Sequence, residues 1–155
     1  EAVMMIKLKK ILFPVDFSEA SENAQRYAIS FAKAFAAKLY LLSVNQPFNM
    51  AFLDPLMVQD LDTNREAAVR ENLDRLRAEI ATQGVEVEAE MRRGSTSFEI
   101  VSFAKEKEID LIIMGTHGWS GLNHVLMGST AEVVVRKAPC PVLTVRPLVH
   151  GFVEV

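Results

Sequence analysis

Cysteine is almost missing from this chain: 155 residues carry one, Cys140. A lone thiol closes no internal disulfide and builds no zinc cluster, so neither staples the fold. An excess of positive charge is missing too. Lys and Arg number 17 against 20 Asp and Glu, for a net charge of −3 and a pI near 5.7. That balance excludes the broad basic face of a nucleic-acid binder, so no nucleic-acid partner is expected. No apolar run approaches the roughly 18 residues of a spanning helix, and the N-terminus has no signal-peptide core. No membrane partner is expected, and a reducing, cytoplasmic setting is. Residues 1–5 are expected to be a flexible lead, with Met4 or Met5 a candidate natural start. Repeats and low-complexity tracts are absent. Glycine is sparse, 7 in all. Four of them (Gly115, Gly118, Gly121 and Gly128) fall in one run.

Half the residues are hydrophobic, and a chain of this length buries about 68–70% of its unfolded surface without metal or disulfide. One domain over 1–155 is expected. Apolar periodicity alternates between strand and helix. Strands are predicted over 9–15 (KKILFPV), 39–44 (LYLLSV), 85–91, 110–114 (DLIIM) and 142–145. Pro14 should end the first of them. Helices are predicted over about 19–37, capped by Ser18, with Ala24, Ala28, Phe31 and Phe35 inward. Others are predicted over about 62–83, with Val69, Leu73, Leu76 and Ile80 inward, from Ser95 or Thr96 to about Lys107, and over 129–138. Gly84 is a stop signal. Residues 45–60 read as irregular, and Arg92 and Arg93 as a solvated strand end. Cys140 reads as core.

The order βαβαβαβαβ demands parallel strands with right-handed crossovers. The predicted class is α/β, a three-layer sandwich around an open five-stranded parallel sheet, Rossmann-like. Strands one and four carry the runs ILFPV and DLIIM, which read as buried on both faces, and should be central. In such sheets ligands bind beyond the carboxyl ends of the strands, where the chain order reverses. Asp16 follows strand one and Gly115 follows strand four, so both should face one crevice.

The run GTHGWSGLNHVLMGST, 115–130, joins strand four to a helix start at Ser129-Thr130. Glycines let backbone N–H groups approach a ligand, and a helix start adds orphan donors and the positive end of its dipole. This suits an anion, phosphate above all. It is not a Walker loop, since no lysine precedes Ser129. His117 can meet a phosphate or sit exposed without a role. His124 reads as surface. Trp119 either covers the site or packs at a partner surface. Met50, Phe52, Leu53, Leu56 and Met57 form either a flap over the second strand's end or a loop packed on the sheet edge. Asp16 can also cap the first helix.

The spacing Gly115-x2-Gly118-x9-Gly128-Ser129 resembles the signature of the nucleotide-binding universal stress proteins. KKILFPVDFSE, EIDLIIMGTHG and APCPVLTVRP extend that resemblance over essentially the whole chain. It implies the strand order 3-2-1-4-5. It implies an adenine-contacting edge at Pro14, Val15 and Val44 and a carboxylate near the nucleoside at Asp16. It implies a ribose and phosphate cradle at Met114, Gly115, Gly118, Gly128, Ser129 and Thr130. ATP or a related adenine nucleotide is the implied ligand. Mg²⁺ or Mn²⁺ would be held mainly by the phosphates, with Asp16 the one candidate metal residue. A homodimer through the edge strand Pro141–Val145, extended by residues 146–155, is also implied. Two departures reduce the fixed positive charge: Trp119 and His124 stand where family members often have a basic residue. No nucleophile-and-base pair is positioned, so at most slow ATP hydrolysis is expected. The competing reading is a nucleotide-free interaction module on the same fold. The chain lacks the aspartate at the end of strand three and the lysine after strand five that a receiver domain needs, and the SGG or HIGH motif of an adenylating enzyme.

Overall fold

A computed structural model of the chain describes residues 3–47, 50–117, 127–147 and 151–153. Among the described residues nine elements alternate: β1 (Lys10–Pro14), α1 (Glu19–Phe35), β2 (Lys38–Asn45), α2 (Pro55–Ala81), β3 (Val87–Arg93), α3 (Thr96–Glu106), β4 (Leu111–Gly115), α4 (Ser129–Lys137) and β5 (Val142–Val145). All pairings are parallel, in the order β3-β2-β1-β4-β5. β1 and β4 are adjacent and central, as their unbroken apolar runs require. Ile11, Leu12, Phe13, Ile112 and Ile113 have no solvent exposure.

The sheet separates two cores. On one face Ile11, Phe13, Leu39 and Leu41 meet α1 and α2 through Ala24, Ala28, Leu73 and Ile80. On the other, Leu12, Leu42 and Ile112 meet α3 and α4 through Ile100, Phe103 and Val134. The two-residue period of a strand sends alternate side chains to each face. Cys140 is half-buried against the second cluster rather than inside it, and burial raises its thiol pKa.

Four expectations need correction. First, α2 begins at Pro55, not near 62. Asp54 caps it, its Oδ1 accepting from Leu56 N at 2.8 Å, and Pro55 occupies the first turn, where a missing N–H costs nothing. Second, Phe35 is exposed and Phe31 only partly buried, while Tyr27 and Ala32 fill the inward face of α1. Third, β3 runs on to Arg93, so Arg92 is not a free strand end. Its guanidinium bonds Glu90 at 2.7 Å and Glu106 at 2.5 and 3.1 Å, and lies over the Phe103 ring. Those carboxylates push the Arg92 pKa up, Glu106 foremost. Fourth, the 50–57 segment is not packed on the sheet edge. Phe52, Leu56 and Met57 are strongly exposed, the latter two on the first turn of α2. The predicted pairs Glu66–Arg70 and Glu71–Arg75 form on α2 at 3.3 and 3.0 Å. Gly84 takes the left-handed φ of 80° that its stop role needs.

Candidate functional site

β1 leaves the sheet at Pro14 while its neighbour β2 runs on to Asn45. On β2 the even-numbered residues direct their backbone groups toward β1: Lys38 N donates to Lys9 O, and Leu42 O accepts from Val15 N, both at 2.8 Å. Val44, next in that series, therefore turns its N–H and C=O toward the side β1 has vacated. Across the gap, β4 ends at Gly115, and the helix that follows it, α4, packs on the face of the sheet opposite α1. The two departures open a cavity of about 510 Å³ at the carboxyl ends of the strands, within the usual range for small-molecule sites of about 300–1,000 Å³.

One wall is the turn after β1. Pro14, Val15 and Asp16 line it. Asp16 Oδ1 accepts from Ser18 N at 2.9 Å and from Ser18 Oγ at 2.6 Å. The same carboxylate that faces the cavity thus shapes the entry to α1. Phe17 between them has φ 58°, a left-handed conformation costing a non-glycine residue roughly 1–2 kcal/mol. The Asp16 turn and the partial burial of Phe17 against the first core hold it there. Ser18 is the N-cap residue by position, but its side chain makes no cap bond to the helix.

The facing wall is the glycine side. Met114 is buried beneath Gly115, and both line the cavity with His117. Buried Thr116 ties the two ends of the intervening loop: its carbonyl accepts from Gly128 N at 2.7 Å. Its Oγ1 lies 2.8 Å from His117 Nδ1. A Cβ on Gly128 would stand 3.0 Å from that same carbonyl oxygen, so close approach rather than unusual φ selects glycine here. Gly128 is the N-cap of α4 and supplies no side chain to cap it. Ser129, Thr130 and Ala131 then open the helix on the cavity. Early N–H groups of a helix have no intrahelical acceptor, so this wall carries donors and partial positive charge. Gly118, Gly121, Trp119 and His124 lie outside the described residues.

The cavity extends further than the motif. Val44 and Leu42 floor it, and beyond them stand Asn45 and Gln46 from the end of β2, Arg65 and Val69 from α2, and Thr96 from α3. Arg65 donates to Asn45 Oδ1, to Gln46 O at 2.6 Å and to Asp62 at 3.0 Å. Thr96 Oγ1 lies 3.3 Å from Gln46 Oε1. The sequence reading names Val69 only as core and Thr96 only as a helix start, and misses Asn45, Gln46 and Arg65. One signal was present: Asn45 is a polar residue ending an apolar strand. Arg65 and Val69 are four apart and share a helix face, but residues 62–69 stand out only once α2 is placed over β2. Among the described residues no cluster of three or more His, Cys, Asp or Glu is arranged to hold a metal ion, and no helix is long and apolar enough to cross a membrane.

Known proteins match this chain over nearly its full length. The model of the universal stress protein family matches residues 7–146. Universal stress protein MJ0531 of Methanocaldococcus jannaschii is 37% identical over 139 residues, 89% of this chain and 82% of that protein. The structure of universal stress protein UspA from Lactobacillus plantarum superposes with a TM-score of 0.81 at 29% identity, covering 92% of this chain and all of that one. A universal stress protein in complex with cAMP shares the fold at a TM-score of 0.69 and 22% identity, over 92% of this chain and all of that one. The chain belongs to the universal stress protein family.

Proposed function

We propose that this protein binds ATP or a related adenine nucleotide in the cavity between the ends of β1 and β4. The carrying observation is the convergence there of Asp16, the turned-out backbone of Val44, and the start of α4 at Gly128–Thr130. The family relative bound to cAMP supports an adenine ligand. In this reading Pro14, Val15 and Val44 enclose the base, and Met114 belongs to the ribose and phosphate cradle. Asp16 accepts a ribose hydroxyl. Gly115, His117, Gly118, Gly128, Ser129 and Thr130 surround the phosphates. Val15 serves through its side chain and carbonyl, since its N–H already bonds Leu42.

The energetics favour modest affinity. A helix start contributes about 0.3–1 kcal/mol to an anion, up to about 2 when partly buried. A micromolar Kd needs about 8 kcal/mol. Base burial and ribose hydrogen bonds must supply most of the remainder. A divalent ion would sit on the phosphates, with Asp16 the nearest protein carboxylate, and would offset their mutual repulsion. Binding should therefore depend strongly on Mg²⁺ or Mn²⁺. Calorimetric titration of ATP with and without Mg²⁺ tests this; no detectable heat at millimolar ATP in either condition rejects it and favours the nucleotide-free module.

In this reading occupancy rather than turnover is the functional event. Nucleotide binding would change partner preference or assembly in a cytoplasmic stress or signalling response, with hydrolysis slow at most. The sheet leaves β5 as an edge, with Val142, Leu143 and Thr144 only half-covered. Unpaired edges invite pairing, and a homodimer through Pro141–Val145 follows. Light scattering at micromolar concentration should give twice the mass of the chain, and a monomeric mass would reject this interface.

A further inference from the structure

The start of α2 projects past the sheet. The helix runs antiparallel to β3: Glu66 lies 3.3 Å from Arg93, the last residue of that strand, and Arg70 meets Met91 two residues before it. Arg65 likewise stands level with the end of β2, where it bonds Gln46 O. Residues 55–64 therefore continue beyond both strand ends, for about 15 Å at a rise of about 1.5 Å per residue. That stretch is nevertheless rich in large apolar side chains. Leu56, Met57 and Leu61 are 71%, 57% and 48% exposed, and Phe52, in the turn ahead of the Asp54 cap, is 83% exposed. Leu56 and Asp60 are four apart, as are Met57 and Leu61, so the four share one side of the helix. Val58, Asp62, Arg65 and Val69, half-buried, occupy the side turned to the protein. Apolar side chains gathered on one outward face mark a contact surface, and methionine adapts its shape to what covers it.

Charge decides what this face can take. Residues 46–64 hold three acids, Asp54, Asp60 and Asp62, and no Lys, Arg or His. Arg65 answers Asp62 at 3.0 Å. Asp54 and Asp60 are exposed and have no ion-pair partner among the described residues. A second copy of the face would set acids against acids, and an anionic bilayer would repel them. A helix with an apolar stripe flanked by Lys or Arg satisfies both features at once. We propose that the projecting start of α2 is a docking surface for a basic amphipathic helix of a partner protein. Its apolar stripe covers Phe52, Leu56, Met57 and Leu61, and its cations meet Asp54 and Asp60. This goes beyond nucleotide binding and does not depend on it.

The test is fluorescence anisotropy of the full chain with a labelled peptide of leucine and lysine patterned as an amphipathic helix, beside a second peptide with glutamate for lysine. The lysine peptide should bind with a micromolar Kd and the glutamate peptide at least about tenfold more weakly. Leu56→Ser combined with Met57→Ser should weaken the lysine peptide about tenfold with every charge kept. Asp60→Asn should weaken it about twofold with every apolar residue kept. These side chains are exposed, so thermal melts should be unchanged. Amide shifts of the ¹⁵N-labelled unmodified chain, which need no variant, should cluster at residues 50–61 when the lysine peptide is added. Equal binding of the two peptides, binding of neither, binding undiminished in the serine variant, or shifts centred elsewhere overturns the proposal. So does sedimentation with phosphatidylglycerol vesicles that the serine variant loses, which assigns the face to a membrane. A fall in light-scattering mass in that variant overturns it too, by assigning the face to a second copy.

Discussion

The two ends of the cavity are built from different materials. At the β4–α4 end the wall is built around backbone, at Gly115, Gly128 and the first turn of a helix whose N-cap has no side chain, with His117 and Ser129 beside it. At the β2–α2 end it is a network of side chains, Asn45, Arg65, Gln46 and Thr96. Backbone donors are fixed by the fold and cannot rotate, which suits a phosphate that varies little between ligands. Side chains offer a directional pattern that can differ between proteins of one fold, which suits a base. In the proposed reading the general part of recognition sits with the glycines and the particular part with α2.

The largest effect should come from filling the backbone end. In Gly128→Val the first added carbon already meets Thr116 O at 3.0 Å, and that carbonyl is backbone, so it cannot swing aside. Overpacking of this kind costs about 1–3 kcal/mol. ATP should bind roughly 10- to 100-fold more weakly, with adenosine affected far less; calorimetry with both ligands reads the difference. Equal losses for the two would erase the division of labour between the ends. A smaller effect is expected at the other end from Asp54→Ala, which removes the cap of α2. About 1 kcal/mol of local helix stability should go, seen as faster amide exchange over the first turns of α2. ATP affinity should fall only about twofold, since Arg65 lies more than two turns in and keeps its β2 partners. The smallest effect belongs to Glu88→Gln, on the β2–β3 surface away from the cavity. Lys38 Nζ donates to Glu88 at 2.8 Å and holds that carboxyl below its usual 4.5. Its stabilisation is therefore complete above 4.5 and fades as pH falls through the lowered value. Because the pair is exposed, the substitution should cost roughly 0.2–0.5 kcal/mol near neutrality and less in acid, with ATP binding unchanged. Urea melts across that range check it.

Which parts were legible follows from how locally each is encoded. β1 and β4 announce themselves as unbroken apolar runs, and their parallel, central placement follows from the alternation of strands with helices. Gly115, Gly128 and Ser129 lie within one short stretch, so the glycine wall reads directly from spacing. Asp16 follows β1 immediately. Asn45 and Arg65 are twenty residues apart and meet only once α2 is packed over β2, and α2 itself starts seven residues earlier than its periodicity indicates. The signal for that start was present in Asp54-Pro55, an N-cap followed by proline at the first helical position. The exposed apolar residues around it, Phe52, Leu56 and Met57, obscure it, because they break the one-sided pattern on which a helix is recognised. Arg92 misleads in a similar way: two arginines at a strand end read as solvated, yet Glu106 of α3 and Glu90 beside it neutralise the first of them.

The polarity of the bound ligand is the most direct test. Amide chemical shifts of the ¹⁵N-labelled chain, recorded with adenosine and then with Mg²⁺-ATP, separate the two ends without any substitution. Adenosine should move Val44, Asn45 and the Asn45 side-chain amide, and ATP should add shifts at Ser129, Thr130 and Ala131. Adenosine shifts confined to Ser129–Ala131, with Val44 and Asn45 unmoved by either ligand, would contradict the assignment of the glycine wall to phosphate and the β2–α2 wall to the base.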